Sequence, residues 1–109
     1  MQDQTLNEYD NINTEFNVSE KIVEYAIEEV LSSKGRVVIL KTLAEMEELN
    51  ISAIARVANL NHSTATQHLN FLTKAGLVQE KRFGRIKIFR FRTENLKARS
   101  LKRLFEIWQ

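Results

Sequence analysis

The chain has 109 residues, a hydrophobic fraction of 43% and no cysteine. These numbers fit one small domain and exclude disulfides, thiolate nucleophiles and thiolate metal sites. No apolar stretch approaches the roughly 20 residues of a membrane span, and no signal peptide is visible at the acidic N-terminus, so we expect a cytoplasmic protein.

The formal net charge of +2 conceals a strong separation of charge along the chain. Residues 1–50 carry four cations and eleven carboxylates, whereas residues 51–109 carry twelve cations and three carboxylates. Six cations and no anion lie between Lys81 and Arg92. Such a separation creates a one-sided potential that attracts a polyanion. The alternative is that the acidic and basic halves pair with each other within the fold or a dimer.

The N-terminal part of the chain predicts an arm followed by a helix. Residues 1–16 have no clear hydrophobic period, so we expect a flexible acidic arm. Asn17 and Glu20 stand at capping-box spacing and predict a helix start. An apolar stripe of period four, within residues 22–31, extends this helix for about three turns until residues 32–35 end it.

Two more helices are predicted before the middle of the chain. The second runs from about Arg36 to Glu48, with Met46 on its buried side and its glutamates in solvent. A short third helix, Ala53–Ala58, is capped by Asn50 or Ser52.

A turn and a fourth helix follow. Asn59-Leu60-Asn61 forms a three-residue turn, and Asn61 or Ser63 caps a helix that reaches about Ala75. Gly76 stands where a residue with positive φ usually ends a helix. On a period of 3.6 residues, three apolar side chains of this helix point inward, namely Ala65, Leu69 and Leu72.

The outward face of the fourth helix is small, polar and free of acidic groups, so it can enter a major groove about 12 Å wide. Gln67 and Asn70 can form bidentate pairs with adenine, and the Thr66 methyl can contact thymine. Backbone N–H groups at the helix start can bind phosphate. The alternative is a solvated polar face without a partner. The candidate DNA-binding residues here are His62, Ser63, Thr64, Thr66, Gln67, Asn70 and Lys74.

A basic β-hairpin is predicted next. Leu77 and Val78 begin a strand, residues 83–85 reverse the chain, and Ile86–Arg92 form the return strand. The cations around the tip are positioned to reach phosphates or a narrow minor groove. The alternative is that they only protect an exposed sheet edge. The candidate DNA-binding residues of the hairpin are Lys81, Arg82, Arg85 and Lys87.

The return strand alternates aromatic and cationic residues. Phe89 and Phe91 alternate with Arg90 and Arg92. One face of the hairpin is therefore expected to pack on the core while the other stays cationic.

The last helix predicts a dimer surface. Thr93 is expected to cap a helix from Glu94 to about Trp108, whose apolar stripe exceeds what so small a chain can bury alone. The alternative is that this stripe folds back on its own domain. The residues assigned to the dimer surface, with the first helix included, are Ile22, Ala26, Leu101, Leu104, Phe105 and Trp108.

These elements give a mainly α fold with a small β-hairpin (α+β), in the order α-α-α-α-β-β-α. The segments NHSTATQHL (61–69), KAGLV (74–78) and FRF (89–91) resemble the winged helix-turn-helix transcriptional regulators, most closely those of the ArsR type. The similarity covers about residues 20–109. It implies a homodimer that binds an operator and changes its affinity with a signal. The expected organisation is an arm (1–16), a winged helix-turn-helix domain (17–92) and a dimerisation helix (93–109).

One trait of that family is missing. Its metal sensors use paired cysteines in the third helix or Asp/His pairs in the last helix, and this chain has neither. His62 and His68 lie six residues apart on different helix faces, which is a poor arrangement for one ion. We therefore expect no metal and no cofactor. His68 is interpreted as a partly buried packing residue and His62 as a DNA contact.

The sequence predicts a sequence-specific, double-stranded DNA-binding transcriptional regulator, active as a homodimer at the nucleoid. The fourth helix would read the major groove while the hairpin holds phosphates or the minor groove. Catalysis is not expected, since no nucleophile set, metal cluster or glycine-rich phosphate loop occurs. Two alternatives remain: a winged-helix module that binds protein, and a nucleoid-associated DNA-binding protein of low specificity. The salt dependence of duplex affinity separates the first of these from DNA binding.

Overall fold

The computed structural model describes residues 21–109. The expected arm and the Asn17/Glu20 capping box lie outside this range. Within it, five helices accompany a three-stranded antiparallel sheet of order β1-β3-β2. The helices are α1 (Ile27–Val30), α2 (Lys34–Met46), α3 (Ile51–Ala58), α4 (His62–Lys74) and α5 (Leu96–Trp108); the strands are β1 (Glu48–Asn50), β2 (Val78–Phe83) and β3 (Ile86–Phe91).

The expected fold class is confirmed: the described chain is mainly α with a small β part. Its order is α-α-β-α-α-β-β-α, and the strand β1 was not predicted from the sequence. The expected inward residues of α4 are all fully buried, and they belong to the same core as Phe89 and Phe91 of the sheet. The core includes Ile39, Leu40 and Leu43 of α2, Ile54 of α3, Ala65, Leu69 and Leu72 of α4, Val78, Phe89 and Phe91 of the sheet, and Ala98 and Leu101 of α5.

The helix-turn-helix formed by α3 and α4 is held by two asparagine caps. The Asn50 side chain accepts a hydrogen bond from the Ala53 N–H at 2.8 Å, and Asn61 accepts one from the Thr64 N–H at 2.7 Å. Each such cap contributes about 1 kcal/mol. Between them, Asn59 takes a left-handed conformation (φ 57°) that ends α3. At each helix the observed cap is the first of the two candidates, Asn50 and not Ser52 for α3, and Asn61 and not Ser63 for α4.

The expected three-turn first helix is wrong for residues 21–26, and α1 has only four residues. Ala26 is extended (φ −65°, ψ 147°). The Val23 N–H donates to the carbonyl of Lys74 at 2.7 Å, and Ile22 lies against Gly76. These contacts with the end of α4 hold the segment out of the helical conformation that its apolar period favours.

The expected end of the second helix at Glu48 is also wrong. Glu47 takes a positive φ of 75° and its N–H donates to the Leu43 carbonyl at 2.8 Å, so α2 ends at Met46. Glu48–Asn50 then pair with β3 as the strand β1. Because the chain turns away here, Met46 is 56% exposed rather than buried.

The hairpin turn has two residues, Gly84 and Arg85, between the directly paired Phe83 and Ile86. Gly84 supplies the positive φ of 63° that such a tight turn requires. The return strand ends at Phe91, one residue earlier than expected.

The last helix begins two residues later than expected. The Asn95 side chain accepts a hydrogen bond from the Ala98 N–H at 3.1 Å, so Asn95, not Thr93, caps α5. The preceding residues form a turn, which the Asn95 N–H closes by donating to the Arg92 carbonyl at 2.9 Å, while the Arg92 N–H donates to the Leu77 carbonyl at 3.0 Å and so holds the turn at the end of the hairpin.

Gly76 follows the C-cap of α4 with a φ of +78°, and an added Cβ would lie 3.0 Å from Ile22 Cγ2. We expect Gly76→Ala to lower the free energy of unfolding by about 1–3 kcal/mol, through backbone strain and this contact. Gly84→Ala is the matched control, because Gly84 also has a positive φ but has nothing within 4 Å of its Cβ position.

Chemical denaturation measures the loss of unfolding free energy in both variants. A larger loss at Gly76 is expected, and combining Gly76→Ala with Ile22→Ala should cost less than the sum of the two single changes. Equal losses at the two glycines, with additive double variants, would contradict the packing of Ile22 on Gly76.

Candidate nucleic-acid interface

The outer face of α4 is exposed and carries no acidic group. Thr64 and Thr66 are half-buried, and the Thr66 hydroxyl donates to the His62 carbonyl at 2.8 Å, so its hydrogen is used within the helix. The other candidates form a continuous polar surface. The exposed members are His62, Ser63, Gln67, Asn70 and Lys74.

One flank of α4, beside its buried face, is held by a cluster around Arg36. The Arg36 Nε donates to His68 Nδ1 at 3.3 Å, and the guanidinium lies over the Phe71 ring, 3.8 Å from its centroid. Its Nη1 donates to the Glu29 carbonyl at 2.6 Å, and the Tyr25 ring stacks on Phe71 at 4.2 Å between centroids. The cluster joins α4 to α2 and to the segment containing α1. This role of Arg36 was not predicted from the sequence, because its partners lie on two other elements, α1 and α4.

His68 is half-buried, as expected for a packing residue. Burial, and secondarily the neighbouring Arg36 cation, lower the pKa of His68 from its ordinary value of 6.5. The neutral imidazole is the form that can accept the Arg36 hydrogen bond through Nδ1.

The hairpin formed by β2 and β3 has two different faces. Arg82 and Lys87 are direct cross-strand partners, and they share a face with Phe89. Lys81, Phe83 and Ile86 belong to the other face by the same register. The cations of the hairpin are therefore divided between its two faces and the turn.

Two of the four candidate cations of the hairpin are paired with carboxylates. Lys81 Nζ lies 2.9 Å from Glu48 Oε2, and Arg82 Nε lies 3.2 Å from Glu80 Oε2. The side chains of Arg85 and Lys87 make no hydrogen bond or ion pair with any residue in 21–109. Both pairs are exposed, and such pairs are weak, with a typical contribution below about 1 kcal/mol.

The expectation that Arg90 and Arg92 belong to an open cationic face is wrong. Arg92 is only 3% exposed, and both arginines contact Glu94, at 2.8 Å from Arg90 Nη2 and 3.0 Å from Arg92 Nε. Hydrogen bonding from Arg90, with a smaller contribution from Arg92, lowers the pKa of Glu94 from 4.5 to about 2. These arginines therefore join the sheet to the turn before α5.

The alternative explanation of the charge separation, that the acidic and basic halves pair with each other, is therefore correct in part. Of the six cations from Lys81 to Arg92, four contact carboxylates. Among the described residues, Glu48 is the acidic-half residue that pairs with this segment. Within this segment, the cations without a carboxylate partner among residues 21–109 are Arg85 and Lys87, close to the hairpin tip.

An apolar groove of about 450 Å³ lies between the segment that precedes α2 and the helix α5. We call it the α5 groove. Four large apolar side chains on its walls are substantially exposed, although only one was assigned to the dimer surface. They are Val23, Ile27, Leu96 and Leu104, at 41%, 62%, 52% and 40% exposure.

The other residues assigned to the dimer surface lie in different environments. Leu101 lines the α5 groove but is only 7% exposed and belongs to the core of its own domain. Ile22 and Phe105 are half-buried, Ala26 is exposed, and Trp108 is 81% exposed. Leu101, Ile22 and Phe105 therefore make contacts within the domain.

Two further features are absent from residues 21–109. No group of three or more His, Cys, Asp or Glu side chains is arranged to hold a metal ion there. In the same range, no helix is both long and apolar enough to cross a bilayer.

Residues 33–80 match the family model described as bacterial regulatory protein, arsR family. This match extends from the residue before α2 into β2 and includes the whole helix-turn-helix. No curated protein matches the chain significantly.

Several solved structures share the fold. The homodimeric winged helix-turn-helix DNA-binding domain Mb0332 of Mycobacterium bovis, a possible ArsR-family transcriptional regulator, is 31% identical. The match covers 76% of this chain and 71% of that one, with a TM-score of 0.60. NolR from Sinorhizobium fredii is 25% identical over 75% and 80% of the two chains (TM-score 0.62). Reduced HlyU from Vibrio cholerae, 17% identical over 99% and 97% (TM-score 0.67), supports the fold alone.

The lowered pKa of His68 predicts a loss of stability in mild acid. The unfolded chain takes up the His68 proton near pH 6.5, and the folded chain only at lower pH. The free energy of unfolding should therefore fall as pH decreases through about 6.5. His68→Asn, which keeps an acceptor near the Nδ1 position but does not titrate, should reduce this dependence.

Denaturation at several pH values between 5 and 8 measures the effect. The same substitution at an exposed position of α4, His62→Asn, is the matched control. The same dependence in wild type and His68→Asn would show that titration of His68 is not the source.

Proposed function

The chain belongs to the ArsR family of bacterial regulatory proteins and is a winged-helix DNA-binding regulator, and on this premise we propose that it binds a specific duplex sequence as a homodimer. In this proposal α4 is the recognition helix in the major groove. The β2–β3 hairpin is the wing, which contacts phosphates and the minor groove. The protein would act in the cytoplasm, at the nucleoid.

The observation that carries the proposal is the outer face of α4, which is exposed and without a carboxylate from His62 to Lys74. Gln67 and Asn70 are three residues apart and so are neighbours on this face. Each can make two hydrogen bonds to an adenine edge, and a good bidentate pair contributes about 1–3 kcal/mol of discrimination. Burial of the opposite face leaves α4 no other side to present to a partner.

Wing cations would contribute affinity without sequence preference. Arg85 and Lys87 have no carboxylate partner among residues 21–109, so phosphate contact would cost them no ion pair there. Lys81 and Arg82 remain candidates that would exchange a carboxylate for a phosphate. Each neutralised phosphate adds about 0.9 to the slope of log affinity against log salt.

The α5 groove supports the dimeric part of the proposal. Its exposed apolar walls, with the 81% exposed Trp108 nearby on α5, leave apolar area that a second protomer can cover. The similar domain from Mycobacterium bovis is homodimeric. In such a dimer, Leu104 and Trp108 would contact the partner while Leu101 supports them from within the domain. A two-fold axis would place two copies of α4 about 34 Å apart on an inverted repeat.

Selection of bound duplexes from a random pool tests the function directly. Enrichment of a palindromic sequence is the expected result. Salt-sensitive binding without any enriched sequence would favour the low-specificity nucleoid protein instead. No binding to any duplex, at any salt concentration, would favour a module that binds protein.

The roles of α4 and the wing should separate on mutation. Arg85→Ala with Lys87→Ala should weaken binding to all duplexes and lower the salt slope by about 2, since two phosphate contacts are lost. Gln67→Ala should instead reduce discrimination against a changed base pair by about 1–3 kcal/mol. Titrations of selected and scrambled duplexes at several salt concentrations measure both. Identical behaviour of the two variants would contradict the division of roles.

Dimerisation should depend on the α5 groove. Leu104→Arg would place a charge on the apolar wall and should convert the dimer to monomer, as measured by sedimentation at micromolar concentration. Val57→Arg is the matched control, because Val57 is 54% exposed but lies on α3, outside the groove. A wild-type monomer, or a dimer that survives Leu104→Arg, would remove this part of the proposal.

A further inference from the structure

The tip of the wing carries a pair of large apolar side chains that lie outside the core. Phe83 and Ile86 are direct cross-strand partners on either side of the turn, and they are 56% and 55% exposed. The sheet already covers the core with Phe89 and Phe91, which are 2% and 3% exposed. A pair of large apolar side chains held in water at the end of a hairpin indicates a contact surface.

The hairpin extends beyond the sheet that supports it. β1 pairs only with residues 88–90 of β3, so two residue pairs of the hairpin and its turn continue past β1. At about 3.3 Å per residue, this projection is roughly 10 Å. It is comparable with the depth of the minor groove, about 7.5 Å.

Cations surround the apolar pair on every side of the tip. Arg85 lies in the turn, while Arg82 and Lys87 face each other on the opposite side of the ribbon. Lys81 Nζ lies 5.9 Å from the Phe83 ring centroid. The complementary partner has apolar surface between two rows of anionic groups. The minor groove of DNA, with sugars and base edges between phosphate backbones, has this chemistry.

An undeformed minor groove is too narrow for this tip. It is about 6 Å wide, whereas the two strands of the ribbon alone are about 4.8 Å apart before side chains are added. Entry therefore requires a wider groove. Apolar side chains that enter between base steps widen the minor groove and kink the duplex toward the major groove.

We propose that Phe83 and Ile86 form an apolar wedge that enters the minor groove at the wing tip, partly unstacks a base step and bends the bound DNA. This inference rests on the proposed function, since it requires DNA binding by α4 and the wing. It adds a second source of sequence preference. Flexible pyrimidine–purine steps such as TA should be favoured under the wing, although no side chain reads their hydrogen-bonding pattern.

Energy transfer between dyes on the two ends of a selected duplex tests the wedge. Wild type should shorten the distance between the ends. The double variant Phe83→Thr/Ile86→Thr, which keeps residues that favour strands, should bend less. It should also lose roughly tenfold in the preference for a TA step over a stiff A-tract under the wing. Its salt slope should be unchanged, because no cation is removed.

Met46→Ala is the matched control, since Met46 is 56% exposed and lies at the end of α2, outside the wing. It should bend DNA as wild type does. Phe83→Trp keeps a large apolar side chain and should retain the bend, which provides a readout if the double variant is unstable.

The possible outcomes distinguish failure of the proposed wedge from failure of the proposed DNA-binding function. A wild-type complex with straight DNA would overturn the wedge alone, as would an equal bend with the folded double variant. Loss of bending with Phe83→Trp, while affinity is kept, would also overturn it. If wild type binds no duplex, the proposed function fails and the wedge fails with it.

Discussion

Burial of one face of α4 is the constraint on which the rest of the site depends. Ala65, Leu69 and Leu72 are completely inaccessible to solvent, and an α-helix that buries one stripe must present the opposite stripe. The Arg36 guanidinium adds a lateral restraint, since it contacts both His68 and the Phe71 ring. The polar face of α4 is therefore held in one orientation before any partner arrives, which reduces the entropic cost of recognition.

Charge has two different uses in this fold. Arg90 and Arg92 meet at Glu94, where they join the end of the hairpin to the start of α5. Arg85 and Lys87 lie near the tip, away from those contacts. Basic residues thus support the sheet at its base, whereas at the tip their charge has no carboxylate partner among residues 21–109. Net charge along the sequence describes the attraction for a polyanion, but only the pairing pattern identifies which cations are available.

Much of the fold could be predicted because its signals are local. The period of apolar residues, the asparagine caps at Asn50 and Asn61, and glycine at 76 depend on neighbours within one or two turns. The inward and outward faces of α4 follow from the same period. The predictions failed where a distant contact outweighed the local signal. The segment before α1 is extended because Val23 bonds to Lys74, about fifty residues away.

The sequence by itself determined the class of the domain, the helix-turn-helix and the polar, acid-free character of the face proposed to meet DNA. Each of these depends on residue type and short-range spacing. Only the tertiary structure decided which side chains are exposed to a partner. The formation of β1, the burial of Arg92 and the inward position of Leu101 all depend on pairing and packing between elements. Lys81 and Glu48 are 33 residues apart, and Arg36 and His68 are 32 apart. No periodicity in one chain segment encodes such pairs, because they form only when separate elements are brought together by the core.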